Sequence, residues 1–411
     1  STSEAVTNNV RVEVVSCYAP DHSQPFQNHW FFHYTITITN EGDDTVQLLS
    51  RHWVITDASG HTEEVVGPGV VGEQPVLGPG ESFTYTSGCP LKTSTGVMRG
   101  TYSMVSETGD HFDVEIARGD PDRYRAAHAR LDEVLGGSGP LAERMEAHRS
   151  AEEIPPQRLE ECIHAFSSAL RDRVRASYPL PDNETVVYEV VTDKPWSGFN
   201  YYEGDYRSRV AVNADLKQQM SNLPRLVAHE SYPGHHTEHC RKEAGLVGGL
   251  GQDEQTIFLV NTPQCLMAEG LADLALYAAV GPGWGRWAAE IYADLGLRFD
   301  GERAEALSEA SAALADVRQD AALMLHDEHR DADEVVAFLQ RWLLVNDTRA
   351  RQALRFLSSP LWRAYTSTYV EGYRLLRGWL DERPAGVGLT ERFGRLLDEP
   401  LIQSALRADA A

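Results

Sequence analysis

The apolar residues of this chain recur at every second position up to about residue 117 and at helical spacing from about residue 120 onward. Side chains alternate across a strand and return every 3.6 residues on a helix, so one switch of period predicts a sheet part followed by a helical part. In the first part Val10, Val12 and Val14 alternate with Arg11 and Glu13. Trp30, Phe32, Tyr34, Ile36 and Ile38 alternate with His33, Thr35, Thr37 and Thr39. Further strand-like runs span 46–56, 82–86, 100–105 and 111–116. Turn residues separate them at Asn40-Glu41-Gly42, Asp57-Ala58-Ser59-Gly60, Gly78-Pro79-Gly80 and Thr108-Gly109-Asp110. Short strands with frequent turns predict a β-sandwich.

In the second part Leu159, Ile163, Phe166, Leu170 and Val174 mark one face of a helix that follows Pro155-Pro156, a proline pair placed where a helix starts. Helices are also expected over 265–280, 304–325, 332–345 and 361–381, with strands only at 185–191 and 207–213. Asp331 reads as an N-cap. Arg118-Gly119-Asp120-Pro121 is the natural boundary, which gives domains 1–118 and 119–411. At 411 residues two or more cores are expected.

The net charge of −24, with no local basic patch, argues against nucleic acid and anionic membrane surfaces as partners. No apolar run reaches bilayer length, so no membrane partner is expected. The first fifteen residues lack a basic region followed by an apolar core, so no secretory leader is expected in them. The chain starts at Ser1 rather than Met, consistent with removal of an upstream segment. Lys stands only at positions 92, 194, 217 and 242 among 37 basic residues, an Arg bias expected of a GC-rich bacterial genome. The five widely spaced cysteines contain no C-x-x-C, and a reducing, cytoplasmic setting is expected.

The chemistry concentrates at His229-Glu230-Ser231-Tyr232-Pro233-Gly234-His235-His236-Thr237-Glu238-His239, four His and two acids in eleven residues. A zinc hydrolase needs neutral imidazoles to hold the ion and a carboxylate to take a proton from water. The familiar H-E-x-x-H spacing is absent, because the position four after His229 is Pro233. On an unbroken helix His236 would face the same way as His229, but about 10 Å farther along the axis, too far to share one ion. A break at Pro233-Gly234 brings His235 into the second ligand position, and His236 stays open as the alternative. Downstream, Glu269 and Asp273 share a helical face at i, i+4. That arrangement lets the first acid bind metal and the second orient a ligand histidine. The strand at 207–213, just upstream, is expected as an edge for an extended substrate.

Two resemblances carry further expectations. VRVEVVSCYAP, WFFHYTITITNEG, LLSRHWVITDASG, VVGPGVVGEQPVLGPGESFTYTSGCPL and MRGTYSMV resemble the ApaG family, which implies a fibronectin-III-like sandwich acting in recognition, with a protein partner. Its G-x-G-x-x-G is Gly67, Gly69 and Gly72. Pro68 and the following Gly-Glu-Gln-Pro exclude a helix start there, so a shaped loop is expected rather than a phosphate cradle. Residues from about 122 to 382 resemble the bacterial zincin-like family called domain of unknown function 885. The matching stretches are 192–200, RSRVAVNADL, LVAHESYPGHHTEH and 260–265 with Glu269-Gly270.

The second resemblance implies a mostly helical metallopeptidase-like fold with a small edge sheet. It implies Glu230 as base activating a metal-bound water, and Zn2+ or another divalent ion held by His229, His235 or His236, and Glu269. Arg318, His326 and Tyr369 are implied as pocket residues, with His326 or Tyr369 steadying an oxyanion. This chain departs from that family in two ways. A sandwich replaces a long helical N-terminal region, and Ala322 stands where an aspartate is frequent. The function expected is a zinc-dependent hydrolase acting on short peptides or other small amides or esters. The alternative is a non-catalytic interaction protein with a structural or lapsed metal site.

Overall fold

The computed structural model of the chain describes residues 2–57, 61–93, 96–109, 111–116, 121–215, 217–258, 260, 262–326, 328–359, 362, 365–384, 386–403 and 405–406. The expected turn at Asp57-Ala58-Ser59-Gly60 and the expected boundary at Arg118-Gly119-Asp120-Pro121 fall largely outside these residues. Backbone packing divides the chain into two compact units, Ser1–Arg123 and Tyr124–Ala411.

The first unit is an antiparallel β-sandwich. One sheet holds β1 (Thr2–Thr7), β2 (Val10–Tyr18), β3 (Trp30–Asn40) and β7 (Ser82–Leu91) in the order β1-β2-β3-β7. The other holds β5 (Thr62–Pro68), β4 (Val46–Asp57), β8 (Gly96–Ser106) and β9 (His111–Ile116) in that order, and β6 (Val76–Leu77) also pairs with β4. The alternation read in the sequence maps onto the two faces of β3. Ile36 and Ile38 are fully buried with Val10, Val12, Leu48 and Tyr102. Thr35, Thr37 and Thr39 form a hydroxyl ladder with Thr86, Thr84 and Ser82 at 2.8, 3.0 and 2.8 Å. Cross-strand pairs of this kind fix register, since a slip of one residue would exchange the faces. The G-x-G-x-x-G is a tight loop. Val70 and Glu73 exchange backbone hydrogen bonds of 2.8 and 2.9 Å, Gly69 and Gly72 have positive φ, and no helix follows.

The second unit is mostly helical. Its helices are α1 (Pro121–Leu135), α2 (Leu141–Ala151), α3 (Leu159–Ser177), α4 (Leu223–Glu230), α5 (His235–Lys242), α6 (Pro263–Asp273) and α7 (Ala275–Ala279). They continue with α8 (Trp284–Asp294), α9 (Gly301–Ala310), α10 (Asp316–His326), α11 (Ala332–Leu343), α12 (Asp347–Leu357), α13 (Thr366–Asp381) and α14 (Leu389–Asp398). The stripe expected on α3 is the buried one, with Leu159, Ile163, Phe166, Leu170 and Val174 at 5% exposure or less. Asp331 caps α11, its side chain accepting from Asp333 N at 2.8 Å.

Three strands complete the unit: β10 (Thr185–Val191), β11 (Gly198–Gly204) and β12 (Arg207–Asn213), in the order β10-β12-β11. Two sequence expectations are corrected here. The strand at 207–213 is the centre of the sheet, parallel to β10 and antiparallel to β11, so the edge next to the histidine helices is β11. The helix expected over 304–325 is broken after Ala310, with a tight turn at Ala312–Ala315 before α10.

The helix that carries Glu269 is fixed by a close backbone crossing. A Cβ at Gly270 would lie 2.4 Å from the Gly372 carbonyl carbon, so α6 and α13 approach at two glycines that no larger residue could replace without a shift.

Candidate metal centre

The site begins where α4 stops. Proline cannot donate to the helix ladder, and the chain leaves helical geometry at Ser231 (φ −130, ψ −77), passes a cis Tyr232–Pro233 bond and restarts at His235. Gly234 makes the return possible. Its N–H donates to Ala228 O at 2.9 Å, and a Cβ there would sit 1.9 Å from His229 O. The break sets the His229 and His235 rings 4.8 Å apart, edge to face. Glu269 comes from α6, whose first turn is capped by Thr262 Oγ1 accepting from Cys265 N at 3.1 Å.

His229 Nε2 lies 3.3 Å from Glu269 Oε2, and His235 Nε2 lies 3.3 Å from Glu269 Oε1. Taken with one atom from each residue, the three donors are within 4.8 Å of one another. Two donors each about 2 Å from a tetrahedral ion are themselves about 3.3 Å apart. The spacing thus suits one small divalent cation. The hydrogen bonding suits it too. Glu269 Oε2, Glu238 Oε2 and Asn200 Oδ1 are buried acceptors without a hydrogen-bond donor among the described residues, and buried acceptors of that kind call for a cation or water. His229 Nδ1 is held at 3.0 Å by Asp273 Oδ1, which leaves Nε2 toward the centre. His235 Nδ1 faces Glu238 Oε2 at 3.9 Å. Tyr365 donates to Glu269 Oε1 at 2.6 Å.

The electrostatics follow from burial in a crowded acidic group. Burial alone would raise the Glu269 carboxyl, but the charge of His235 and the close approach of both imidazoles, 3.3 Å each, hold it well below the usual carboxylate range. Burial would lower His235, yet Glu269 and Glu238 push it up to about 9. His229 is likewise raised, against burial, by Asp273 and Glu269. In the metal-free protein these imidazoles therefore carry protons that an ion must displace. Because the folded His235 value lies above the ordinary 6.5, its contribution to metal-free stability is complete below pH 6.5. That contribution is lost as pH rises through 9. Zinc affinity is expected to strengthen across the same window, by about tenfold per pH unit for each proton displaced. Titration against a chromophoric chelator at several pH values checks this.

Glu230 ends α4 and is 5% exposed. Its carboxylate lies against the β11 backbone. A Cβ at Gly198 would be 2.8 Å from Glu230 Oε1, and Asn200 Nδ2 donates to Glu230 O at 2.6 Å. Burial raises its carboxyl, while His229 and His235 pull it down. Tyr369, on α13, has its ring 6.2 Å from that of His229 and 5.3 Å from that of Tyr365. Burial and the charges of Glu269 and Asp273 raise its phenol far above the ordinary value, so it stands as a donor.

Two implied residues lie elsewhere. His236 does not join the centre. It is fully buried and turned to other partners, with Nε2 at 3.0 Å from Glu184 Oε2 and Nδ1 at 2.8 Å from Ser208 Oγ. His326 ends α10, and its Nε2 binds Leu357 O at 2.6 Å; its described contacts do not include the centre. Sequence reasoning missed Gly198, Asn200 and Tyr365. The first two lie in the stretch at 192–200 quoted above, and Tyr365 stands one helical turn before Tyr369.

Fold and site together define a two-unit protein, an antiparallel sandwich joined to a helical unit with a buried His-His-Glu group. The sequence profile of the ApaG domain matches residues 20–106. Protein ApaG of Bradyrhizobium diazoefficiens is 53% identical over 112 residues, 27% of this chain and 86% of that protein. Protein ApaG of Xanthobacter autotrophicus is 54% identical over 112 residues, with the same coverage of 27% and 86%. Through its N-terminal unit the chain belongs to the ApaG family.

The helical unit resembles in fold a solved structure from Colwellia psychrerythraea, provisionally described as a lipoprotein. The TM-score is 0.52 at 14% identity, covering 71% of this chain and 50% of that one. The chain thus spans half the length of that protein.

Proposed function

We propose that the helical unit is a metal-dependent hydrolase, with zinc as the ion and short peptides or related small amides and esters as substrates. The observation that carries this reading is the buried His229, His235 and Glu269 group with no hydrogen-bond donor on Glu269 Oε2, next in sequence to the buried Glu230, whose carboxyl feels the charge of both histidines. The resemblance of the His-bearing stretch to the zincin-like family supports it. A divalent ion bound by these three residues supplies Lewis acidity toward a scissile carbonyl. Glu230 takes the proton of the attacking water and passes it to the leaving amine, a role suited to a buried carboxyl whose pKa is raised. Tyr369 donates a hydrogen bond to the oxygen on which charge develops. Asp273 holds the His229 ring in the tautomer that keeps Nε2 free. β11, the sheet edge beside α4, offers backbone groups to an extended substrate. The sandwich acts in recognition of a protein partner.

A cleavage screen on a mixed peptide library tests this. Zinc-loaded protein is expected to cleave, a chelator to stop it and added zinc to restore it. If the loaded protein cleaves nothing and chelation only lowers its melting temperature, the centre is structural and the chain is an interaction protein.

A further inference from the structure

Glu269 brings two oxygens to the centre, and they are not equivalent. Oε1 faces His235 Nε2 and Oε2 faces His229 Nε2, each at 3.3 Å, so the imidazoles do not choose between them. Tyr365 does. Its hydroxyl donates to Oε1 at 2.6 Å, the short bond that an ionised carboxylate accepts. Oε2 has no donor among the described residues. Tyr365 is 5% exposed and Glu269 3%, so bulk water has little access to either group.

The hydroxyl is held at this place by its surroundings. Tyr365 N donates to Trp362 O at 2.9 Å, and Thr368 N and Oγ1 donate to Tyr365 O at 3.0 and 2.6 Å. The Tyr365 ring meets those of Trp362 and Tyr369 edge to face, at 5.1 and 5.3 Å. Tyr365 stands immediately before α13, and the Gly270–Gly372 crossing sets that helix against α6, the helix of Glu269.

A buried tyrosine hydroxyl finds a partner in any fold. Here the partner it takes has a chemical consequence. A zinc with three protein ligands keeps its fourth position for water or substrate. A carboxylate that turned both oxygens to the ion would fill that position. We infer that Tyr365 is a positioning residue that commits Glu269 to bind the ion through Oε2 alone, and so keeps one coordination position open. This rests on the metal-hydrolase reading, and it adds how the site stays open.

The test loads wild type and Tyr365→Phe with Co2+, whose visible bands are strong in four-coordinate sites and weak in five-coordinate ones. Zinc affinity of both is measured against a chromophoric chelator. Wild type is expected to give the strong, four-coordinate spectrum. Tyr365→Phe is expected to shift toward the weak one and to bind zinc roughly ten- to hundredfold less tightly, the usual loss when an orienting partner is removed. The variant keeps the ring and its packing, so a role in packing alone predicts no change in spectrum or affinity, and that result overturns the assignment. Zinc-loaded wild-type crystals decide the point without a variant. Oε2 alone should lie about 2 Å from the ion, and an ion bound through Oε1 overturns the assignment. If metal binds but no peptide is cleaved, the hydrolase reading falls while spectra and crystals still decide the role of Tyr365. If wild type takes up neither Co2+ nor Zn2+, both fall.

Discussion

Glu230→Gln is expected to lower kcat for peptide hydrolysis by about a hundred- to ten-thousandfold, the usual contribution of a positioned general base, while the protein keeps its zinc. The two side chains have nearly the same shape, and Glu230 is not one of the three grouped donors. What the variant loses is a proton acceptor 5% exposed, pressed against Gly198 and raised in pKa by burial. Kinetics on a cleaved peptide, paired with elemental analysis of the same sample, make the measurement. A variant that loses zinc along with activity would move Glu230 from base to ligand. A variant that retains full activity would remove it from the chemistry.

Glu269→Gln is expected to abolish stoichiometric metal. Removing a partner that only orients a ligand costs roughly ten- to a hundredfold in affinity, and removing a ligand costs more. Glu269 touches both histidines at 3.3 Å. The ionised carboxylate is also the group that balances an ion in this buried place, where an amide would leave it uncompensated. Competition with a chelator of known affinity should show a loss of more than about a hundredfold, and hydrolysis should fall in parallel. In the metal-free state the same substitution removes the charge that helps hold His235 at about 9, so the proton coupling of metal binding should weaken as well.

Much of the fold was legible because burial and period coincide. The stripe on α3 and the faces of β3 follow directly from spacing, since each buries one side only. β11 escaped because Gly198-Phe199-Asn200-Tyr201-Tyr202 places aromatic and polar groups on both faces, and the burial pattern there shows no alternation. The break after Ala310 carries no Pro or Gly to announce it. Ser311 Oγ bonds back to Leu307 O at 2.7 Å, a local competitor of the helix that composition does not flag.

In the site, the break at Pro233-Gly234 and the Glu269/Asp273 face were readable from spacing alone. The choice between His235 and His236 was not. It turns on Glu184 and Ser208, distant in sequence, which capture His236. Likewise Leu357 O, which binds His326, could not be foreseen from the residues around that histidine.

The central claim is that His229, His235 and Glu269 hold one divalent ion. Anomalous diffraction at the zinc edge from zinc-loaded crystals tests it most directly. The account predicts a single strong peak about 2 Å from His229 Nε2, His235 Nε2 and a Glu269 carboxylate oxygen, with none beside His236. A peak at His236 and Glu184, or no peak among the three residues at full zinc loading, would contradict it.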